Sequence, residues 1–390
     1  MTRKCKPALL LIGSQMAVGG AQHLLLAQAR WFRERGYRVV AAFFYDKENL
    51  RQHWSAEHGI EIIDLRSWRN DGILAVNLLR LGTGLGRLFR LAHRGRFDVI
   101  ETFTHHANLL GLPVAWAAGI PLRIGTHHGR PAMADWLARL HRRIINSRIT
   151  SHFVAVSEHL RREAITRERI RSEKVCVIVN GFTVSTALSP GEPAPRQVLA
   201  ELGYEPSGRL IVNIGRLIPE KGQIHLIEAM PEVLERCRDA RVIIVGDGEL
   251  REVLQQRVQE LELTREVRLL GTRADVPRLL AAAELFVYPS IRDGRPLALL
   301  EALSMCVPVV ASDCDAMTEL LENERTALLF RAGDNAALSR SLIYALENPG
   351  MMQQLARTAA QHAGCEISVD VMCQRYDRLF CESGGGVPPR

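Results

Sequence analysis

The amino-acid sequence predicts two α/β domains, each built on a doubly wound parallel sheet. Short apolar runs rich in Val, Ile and Leu alternate with longer segments of helical period, which is the pattern of βαβ units. The alternation stops in a proline-rich stretch, 185–196, and then restarts. With 390 residues the chain is long enough for two domains. We therefore predict a first domain at 1–184, a linker at 185–196, a second domain at 197–362, and a terminal helix and tail at 363–390 that can cross back to the first domain.

The apolar runs predict the strands. They lie at 8–12, 38–44, 60–65, 98–103, 122–126, 152–156, 174–179, 210–214, 242–245, 267–270, 285–288, 307–311 and 327–330. Gly13 is expected to end the first strand. Helices fit between most of the strands, for example at 21–35, where Gly36 stops the helix, and at 75–92.

Composition indicates an ordinary globular protein. Hydrophobic residues make up 47% of the chain and charged residues 24%, which excludes wholesale disorder and a membrane-embedded body. The uncharged apolar stretch 109–122 contains Pro113 and Gly119 and falls short of the roughly 20 residues that span a bilayer. The 8 cysteines include no C-x-x-C pair, so we expect reduced thiols and a cytoplasmic location.

Charge is distributed unevenly along the chain. Residues 1–190 carry 28 Lys and Arg against 14 Asp and Glu, a net +14, so the remainder of the chain is −7. A basic half favours contact with an anionic partner such as lipid headgroups, a phosphorylated lipid carrier or nucleic acid, although a solvated basic surface explains it equally well.

The segment 134–148 has the spacing of an amphipathic helix. Its apolar stripe and flanking cations are Trp136, Leu137, Leu140, Ile144 and Ile145 with Arg139, Arg142, Arg143 and Arg148. Such a helix can lie on an anionic membrane surface, and the same pattern also describes a surface helix packed on its own sheet.

Polar residues that directly follow strands are the ones to examine for function, because parallel sheets bind ligands beyond the carboxyl ends of their strands. In the second domain, Arg216 and Lys221 follow a strand and precede a helix, where they can hold a diphosphate. Taken alone, they are equally compatible with a loop carrying two solvated cations. Gly246 closes the next strand, a weak signal by itself.

Two carboxylates surround the helix that begins after Pro296. Asp293 lies in the preceding loop, and Glu301 lies on the helix among leucines and alanines. An unpaired carboxylate on an apolar helix is costly. Glu301 is therefore expected either to be satisfied within the protein or to accept hydrogen bonds from a ligand such as the hydroxyls of a ribose.

In the first domain, Gly19 and Gly20 join the first strand to a helix, where backbone N–H groups can approach an anion. His127 and His128 follow another strand, and one of them can donate to a sugar hydroxyl; a polar loop is the alternative. No cluster with the spacing of metal ligands is apparent, although the pair His105-His106 and the pair His127-His128 remain candidates.

Together these segments resemble glycosyltransferase family 4, the retaining GT-B enzymes that use nucleotide-sugar donors. The resemblance covers most of the chain. Its landmarks are Gly19-Gly20, the His127-His128 loop, Val156-Ser157-Glu158, Val179-Asn180-Gly181, Gly215-Arg216 with Lys221-Gly222, Gly246-Asp247-Gly248, and 288–313.

The resemblance implies a GT-B architecture of two Rossmann-like domains facing a central cleft. It also implies roles for individual residues. Arg216 and Lys221 would hold the donor diphosphate, Glu301 the ribose, and His128 the sugar, which Asp293 would help to orient. The implied chemistry needs no metal or other cofactor, with the leaving phosphate accepting the proton of the acceptor.

Three positions depart from the family pattern. The first carboxylate of the Glu-x7-Glu motif is Asp293, shorter by one methylene, and the Asp usually found two residues after Asn-Gly is Thr183. Asp315-Ala316 replaces the glycine pair expected before Glu319. An extra carboxylate beside a diphosphate is unfavourable unless it contacts a sugar hydroxyl.

The sequence thus predicts a retaining glycosyltransferase of cell-surface polysaccharide or glycolipid synthesis. Its expected partners are a nucleotide-sugar donor and a glycan or lipid-linked acceptor, with no nucleic acid, and its basic first domain could place it peripherally on the cytoplasmic face of a membrane. The alternative is a non-catalytic GT-B protein that binds sugar nucleotides. A nicotinamide-dependent dehydrogenase is disfavoured, because neither half contains Gly-x-Gly-x-x-Gly.

Overall fold

A computed structural model describes residues 6–17, 20–69, 72–129, 134–181, 195–205, 207–293, 296–366 and 368–383. The chain divides into two compact units, Met1–Gly181 with Val369–Arg390, and Phe182–Ser368. Within the described residues, no helix has both the length and the apolar content needed to cross a bilayer.

The first unit contains a parallel sheet with helices on both faces. Its strands are β1 (Leu9–Met16), β2 (Val39–Asp46), β3 (Glu61–Asp64), β4 (Val99–Thr102), β5 (Leu122–His127), β6 (His152–Ala155) and β7 (Val175–Val177). Its first helices are α1 (Gly20–Glu34), α2 (Arg51–His58), α3 (Leu74–Gly95), α4 (His105–Ala117), α5 (Asp135–Asn146) and α6 (Glu158–Thr166). The strand order is β3-β2-β1-β4-β5-β6-β7, so the order reverses between β1 and β4.

Both faces of this sheet are buried, as the doubly wound arrangement requires. Successive side chains of a strand point to opposite faces. Accordingly, Leu9 and Leu11 belong to one apolar cluster, whereas Leu10 and Ile12 belong to another, and all four are fully buried. This explains why β1 reads as a continuous apolar run.

The expected end of the first strand at Gly13 is wrong. The strand continues to Met16, and Gly13 pairs with Phe43 of β2. A Cβ at Gly13 would lie 2.3 Å from the Phe43 ring, so this glycine makes room for an aromatic side chain of the core. Tyr45 then donates its hydroxyl hydrogen to Gln15 Oε1, which extends the contact between the two strands.

The second unit repeats the same architecture. Its strands are β8 (Arg209–Ile214), β9 (Ala240–Val245), β10 (Val267–Gly271), β11 (Leu285–Tyr288), β12 (Val309–Ser312) and β13 (Leu328–Phe330). Its helices are α7 (Pro195–Glu201), α8 (Gln223–Arg236), α9 (Arg251–Glu260), α10 (Val276–Ala282), α11 (Leu297–Ser304), α12 (Asp315–Thr318), α13 (Asn335–Glu347) and α14 (Pro349–Glu366). The order β10-β9-β8-β11-β12-β13 is all parallel and reverses between β8 and β11. The predicted linker 185–196 lies outside the described residues, except for its last two residues, 195 and 196, which begin α7.

The last helix of the chain, α15 (Val369–Ser383), packs in the first unit against α1. Phe380 lies 5.3 Å from Phe32 between ring centroids, and Tyr37 donates a 2.6 Å hydrogen bond to Asp377. Tyr376 reaches further and hydrogen-bonds Glu101 of β4. Helix α15 is therefore part of the hydrophobic core of the first unit.

Glu101 is fully buried in that core. Gln28 Nε2 donates to Glu101 Oε2 at 2.6 Å, in addition to the contact with Tyr376. Burial outweighs these hydrogen bonds and raises the pKa of Glu101 to about 8, so the carboxyl group is largely protonated at neutral pH.

Candidate active site

The loops after β8 and β11 meet at the point where the strand order of the second unit reverses. Open α/β sheets bind ligands at such a position. The Ser290 hydroxyl and the Ile291 amide both donate to the Glu220 carbonyl, each at 2.8 Å. Gly222 has φ +65, and a Cβ there would lie 2.1 Å from the Pro289 carbonyl oxygen. Only glycine therefore permits this close approach of the two loops.

Gly246 brings the loop after β9 against the loop after β8. Its φ is +135, and a Cβ would lie 2.0 Å from the Gly215 carbonyl oxygen. The Leu217 amide also donates to the Asp247 carbonyl at 3.0 Å. The glycine-rich sequence after β9 thus supports the backbone that presents Arg216 and Lys221.

Lys221, Asp293 and Tyr288 form a hydrogen-bonded triangle. The Lys221 ammonium forms an ion pair with Asp293 and donates to the Tyr288 hydroxyl at 2.7 Å, and that hydroxyl donates to Asp293 at 2.7 Å. The Lys221 and Asp293 side chains are only 14% and 12% exposed. Burial, with the Asp293 charge, raises the pKa of Tyr288 well above its usual value. The sequence does not predict this role for Tyr288, the last residue of a buried strand.

Arg216 differs from Lys221 in being exposed. Its backbone carbonyl accepts a 3.0 Å hydrogen bond from Gln223. The described part of the chain offers its guanidinium no hydrogen bond or ion pair. One of the two cations expected at this loop is thus open to solvent, whereas the other is engaged by a carboxylate.

Glu301 lies on α11, and the helix residues on either side of it, Leu300 and Ala302, are buried. Its carboxyl group makes no hydrogen bond to the described residues, and burial raises its pKa to about 7. The described residues thus do not satisfy the Glu301 carboxyl group, and its contact with a ligand stays a prediction. Asp315 opens α12, and Ala316 is buried.

In the first unit, His128 directly follows β5. Its ring stacks on Phe103 with centroids 5.9 Å apart. Burial and the neighbouring His127 lower the pKa of His128 to about 4, so it is neutral at physiological pH and can exchange hydrogen bonds with a hydroxyl group. Gly20 begins α1, and Gly19 lies outside the described residues.

His127 points the other way, as expected for adjacent residues at the end of a strand. It is fully buried and lies 5.1 Å from His105 between ring centroids. The two histidines of this loop are therefore not equivalent, and His128 is the better candidate for contact with a sugar. His106, beside His105, is exposed.

Helix α5 occupies most of the predicted amphipathic segment 134–148. Ile144 and Ile145 are buried, so part of the stripe packs in the first unit. Trp136 and Leu140 are 60% and 42% exposed, so the beginning of the stripe faces solvent. The second half of this helix therefore packs on its own unit, and contact of its first half with a membrane stays a prediction.

Comparison with known families gives matches in both halves of the chain. Residues 18–186 match the model described as Glycosyltransferase Family 4, and residues 199–362 match the model described as Glycosyl transferases group 1.

Relatives include an Escherichia coli enzyme, UDP-Gal:alpha-D-GlcNAc-diphosphoundecaprenol alpha-1,3-galactosyltransferase. It is 27% identical over 69% of this chain and 71% of its own length. The N,N'-diacetylbacillosaminyl-diphospho-undecaprenol alpha-1,3-N-acetylgalactosaminyltransferase of Campylobacter jejuni is 25% identical over 73% of this chain and 76% of its own.

Solved structures show the same fold. Anabaena Alr3699/HepE in complex with UDP and glucose has a TM-score of 0.83 at 23% identity, covering 96% of this chain and 100% of its own. Sucrose-phosphate synthase from Thermosynechococcus elongatus has a TM-score of 0.82 at 16% identity, covering 97% and 100%. The chain has the GT-B fold and belongs to the family 4, group 1 glycosyltransferases.

Proposed function

We propose that this protein is a retaining glycosyltransferase that moves a sugar from a nucleotide diphosphate to a glycan or lipid-linked acceptor. The observation that carries the proposal is the placement of Arg216 and Lys221 in one loop at the reversal point of the second sheet. Two cations there suit the diphosphate of a sugar nucleotide, which carries two negative charges.

The leaving diphosphate is the group that gains charge as the bond to the sugar breaks. Arg216 and Lys221 would stabilise that charge, which places the catalytic contribution in fixed electrostatics and requires no metal at the donor. Because Lys221 is paired with Asp293 before the donor arrives, the ammonium is held in one position. That arrangement lowers the conformational entropy lost when the phosphate binds.

Asp293 has a double role in this proposal. It positions Lys221, and it would accept a hydrogen bond from a hydroxyl of the transferred sugar. Glu301 would accept hydrogen bonds from the ribose, and His128 would contact the sugar. Neither Asp293 nor His128 serves as a nucleophile; in a retaining transfer without one, the leaving phosphate takes the proton of the acceptor on the same face.

Retention fits the relatives. Transfer with retention from an α-linked donor gives an α-linked product, and the relatives from Escherichia coli and Campylobacter jejuni are both named alpha-1,3 transferases. Both also carry diphosphoundecaprenol in the names of their acceptors. We therefore propose a lipid-linked acceptor of the same chemical class, in polysaccharide or glycolipid synthesis.

A peripheral membrane location would suit such an acceptor. Helix α5 exposes Trp136 beside Arg139, and α3 begins with apolar residues of which Leu74 and Leu79 are 66% and 73% exposed. Apolar side chains bordered by cations are typical of helices that lie in the interface of an anionic bilayer. The basic first half of the chain adds a general attraction to the cytoplasmic leaflet.

The proposal is tested by screening UDP-, GDP- and ADP-sugars for thermal stabilisation and then measuring release of the nucleotide diphosphate with a lipid-linked acceptor. We expect one nucleobase to stabilise the protein and its diphosphate to be released only when acceptor is present. Stabilisation without release under any acceptor would favour the alternative of a non-catalytic protein that binds sugar nucleotides.

A further inference from the structure

Side chains from four separate elements of the first unit converge behind the loop that carries His128. His105 is the first residue of α4, His127 the last of β5, His141 lies on α5, and Glu168 follows α6. The rings of His105 and His141 lie 4.7 Å apart between centroids. One potential ligand atom from each of His105, His141 and Glu168 lies within 4.8 Å of the other two.

The two imidazoles are buried and chemically suited to bind a metal. His105 is 5% exposed and His141 is 2% exposed. Histidine binds a metal ion through the lone pair of a neutral imidazole ring. Within the described residues, Nε2 of His105 has no hydrogen-bond partner. A buried polar atom in that state costs stability unless something binds it.

His127 supports the cluster from outside. The Gly129 amide donates to Nδ1 of His127 at 3.4 Å. Its other ring nitrogen, Nε2, lies 3.2 Å from Glu168 Oε1. Groups that contact metal ligands from outside commonly hold those ligands in position.

We propose that His105, His141 and Glu168 form a binding site for a divalent transition-metal ion, with zinc as the preferred ion. Two imidazoles and one carboxylate are a known ligand set for zinc, with water in the fourth position. Bonds of about 2.0–2.2 Å in a tetrahedral site separate ligand atoms by about 3.4 Å, so the side chains need to close by at most about 1.4 Å. Neutral imidazole and carboxylate together disfavour calcium and magnesium, which prefer oxygen ligands.

The ion would tie together α4, α5 and the segment after α6, and thereby support the loop that carries His128. The metal site lies in the first unit, whereas the donor loops belong to the second unit, and binding of the ion is not a step of the proposed transfer. The sequence does not predict this site because the ligands are widely separated along the chain and form no spacing motif. The competing explanation is a polar core without metal, in which Asn108 contacts Nε2 of His141 at 3.3 Å.

The test uses the untagged full-length protein. After dialysis against zinc, we expect about one zinc ion per chain by elemental analysis, and after replacement by Co²⁺ we expect the visible absorption bands of a four-coordinate site. His141→Gln should weaken metal binding by roughly tenfold or more. The matched control is His106→Gln, which changes an exposed histidine next to a ligand and should leave the metal content unchanged.

Zinc should also raise the melting temperature of the wild-type protein and of His106→Gln, but not that of His141→Gln. If His141→Gln fails to fold, Glu168→Gln serves as the second variant, and the wild-type stoichiometry and Co²⁺ spectrum stand by themselves. Wild-type protein without stoichiometric zinc and without Co²⁺ bands would overturn the proposal. Equal loss of metal in His106→Gln would overturn the assignment as well.

Discussion

Arg216 and Lys221 lie in the same loop, but they differ in what holds them. Replacing either by alanine removes one charge-assisted contact to a diphosphate, which should weaken donor binding by about 1.5–3 kcal/mol, or roughly 10- to 150-fold. The effects on folding should differ. Arg216 is exposed and makes no side-chain hydrogen bond or ion pair to the described residues, so Arg216→Ala should change the free energy of unfolding by no more than about 0.5 kcal/mol.

Lys221→Ala should destabilise the protein as well, because it leaves Asp293 without its counter-ion in a site where the two side chains are 14% and 12% exposed. Breaking a buried ion pair costs about 3–5 kcal/mol. We expect the low end of that range, since Tyr288 still donates to Asp293. The double variant Lys221→Met with Asp293→Asn should recover most of the stability without recovering donor binding.

Calorimetric titration with the stabilising nucleotide and urea unfolding measure the two quantities separately. The control is Arg236→Ala, which removes a surface ion pair between α8 and Glu347 and should affect neither quantity strongly. The reasoning is refuted if Lys221→Ala binds the nucleotide as well as wild type does. It is also refuted if Arg216→Ala and Lys221→Ala lose the same stability.

Asp293→Glu should keep or raise transfer activity, whereas Asp293→Asn should lose it; equal activity in all three proteins would show that this loop does not contact the donor. Glu101 has a pKa of about 8 when folded and about 4.5 when unfolded. Its stabilising effect is therefore complete below pH 4.5 and is lost by about 1.4 kcal/mol per pH unit as the pH rises to 8. Urea unfolding of Glu101→Gln should lack this pH dependence of the unfolding free energy, and an unchanged pH dependence would contradict the assignment. In sedimentation with vesicles, the protein should prefer anionic lipid and be released by salt, because each basic residue near the membrane surface contributes about 1 kcal/mol of binding free energy. Trp136→Ser should bind the vesicles less. Equal recovery on neutral lipid would favour a soluble acceptor.

Much of the fold follows from the sequence because each strand is a locally apolar run. The strands of both sheets occur where the apolar runs predict them, and the largest error is the end of β1. There the reason for Gly13 is the ring of Phe43 on a neighbouring strand, which local periodicity cannot indicate. Gly13 makes room for that ring and does not end the strand.

The sequence predicts individual residues of the site but not the contacts between them. Arg216 and Lys221 follow a strand, which local sequence reveals, but the partner of Lys221 is 72 residues away at Asp293. That pairing depends on β8 and β11 being neighbours, which is a property of the sheet order. For the same reason the sequence offers His105 and His127 only as members of histidine pairs, and it does not indicate that His141, on an amphipathic helix, and Glu168 lie beside them.

The central claim is that the protein transfers a sugar with retention to a lipid-linked acceptor. The most direct measurement combines the nucleotide sugar that stabilises the protein with a sugar linked to diphosphoundecaprenol, and determines the anomeric configuration of the product by NMR. We predict a product in which the transferred sugar keeps the configuration it had in the donor. A product of inverted configuration would contradict retention, and the absence of any transferred sugar from a range of lipid-linked and free glycan acceptors would contradict the transferase itself.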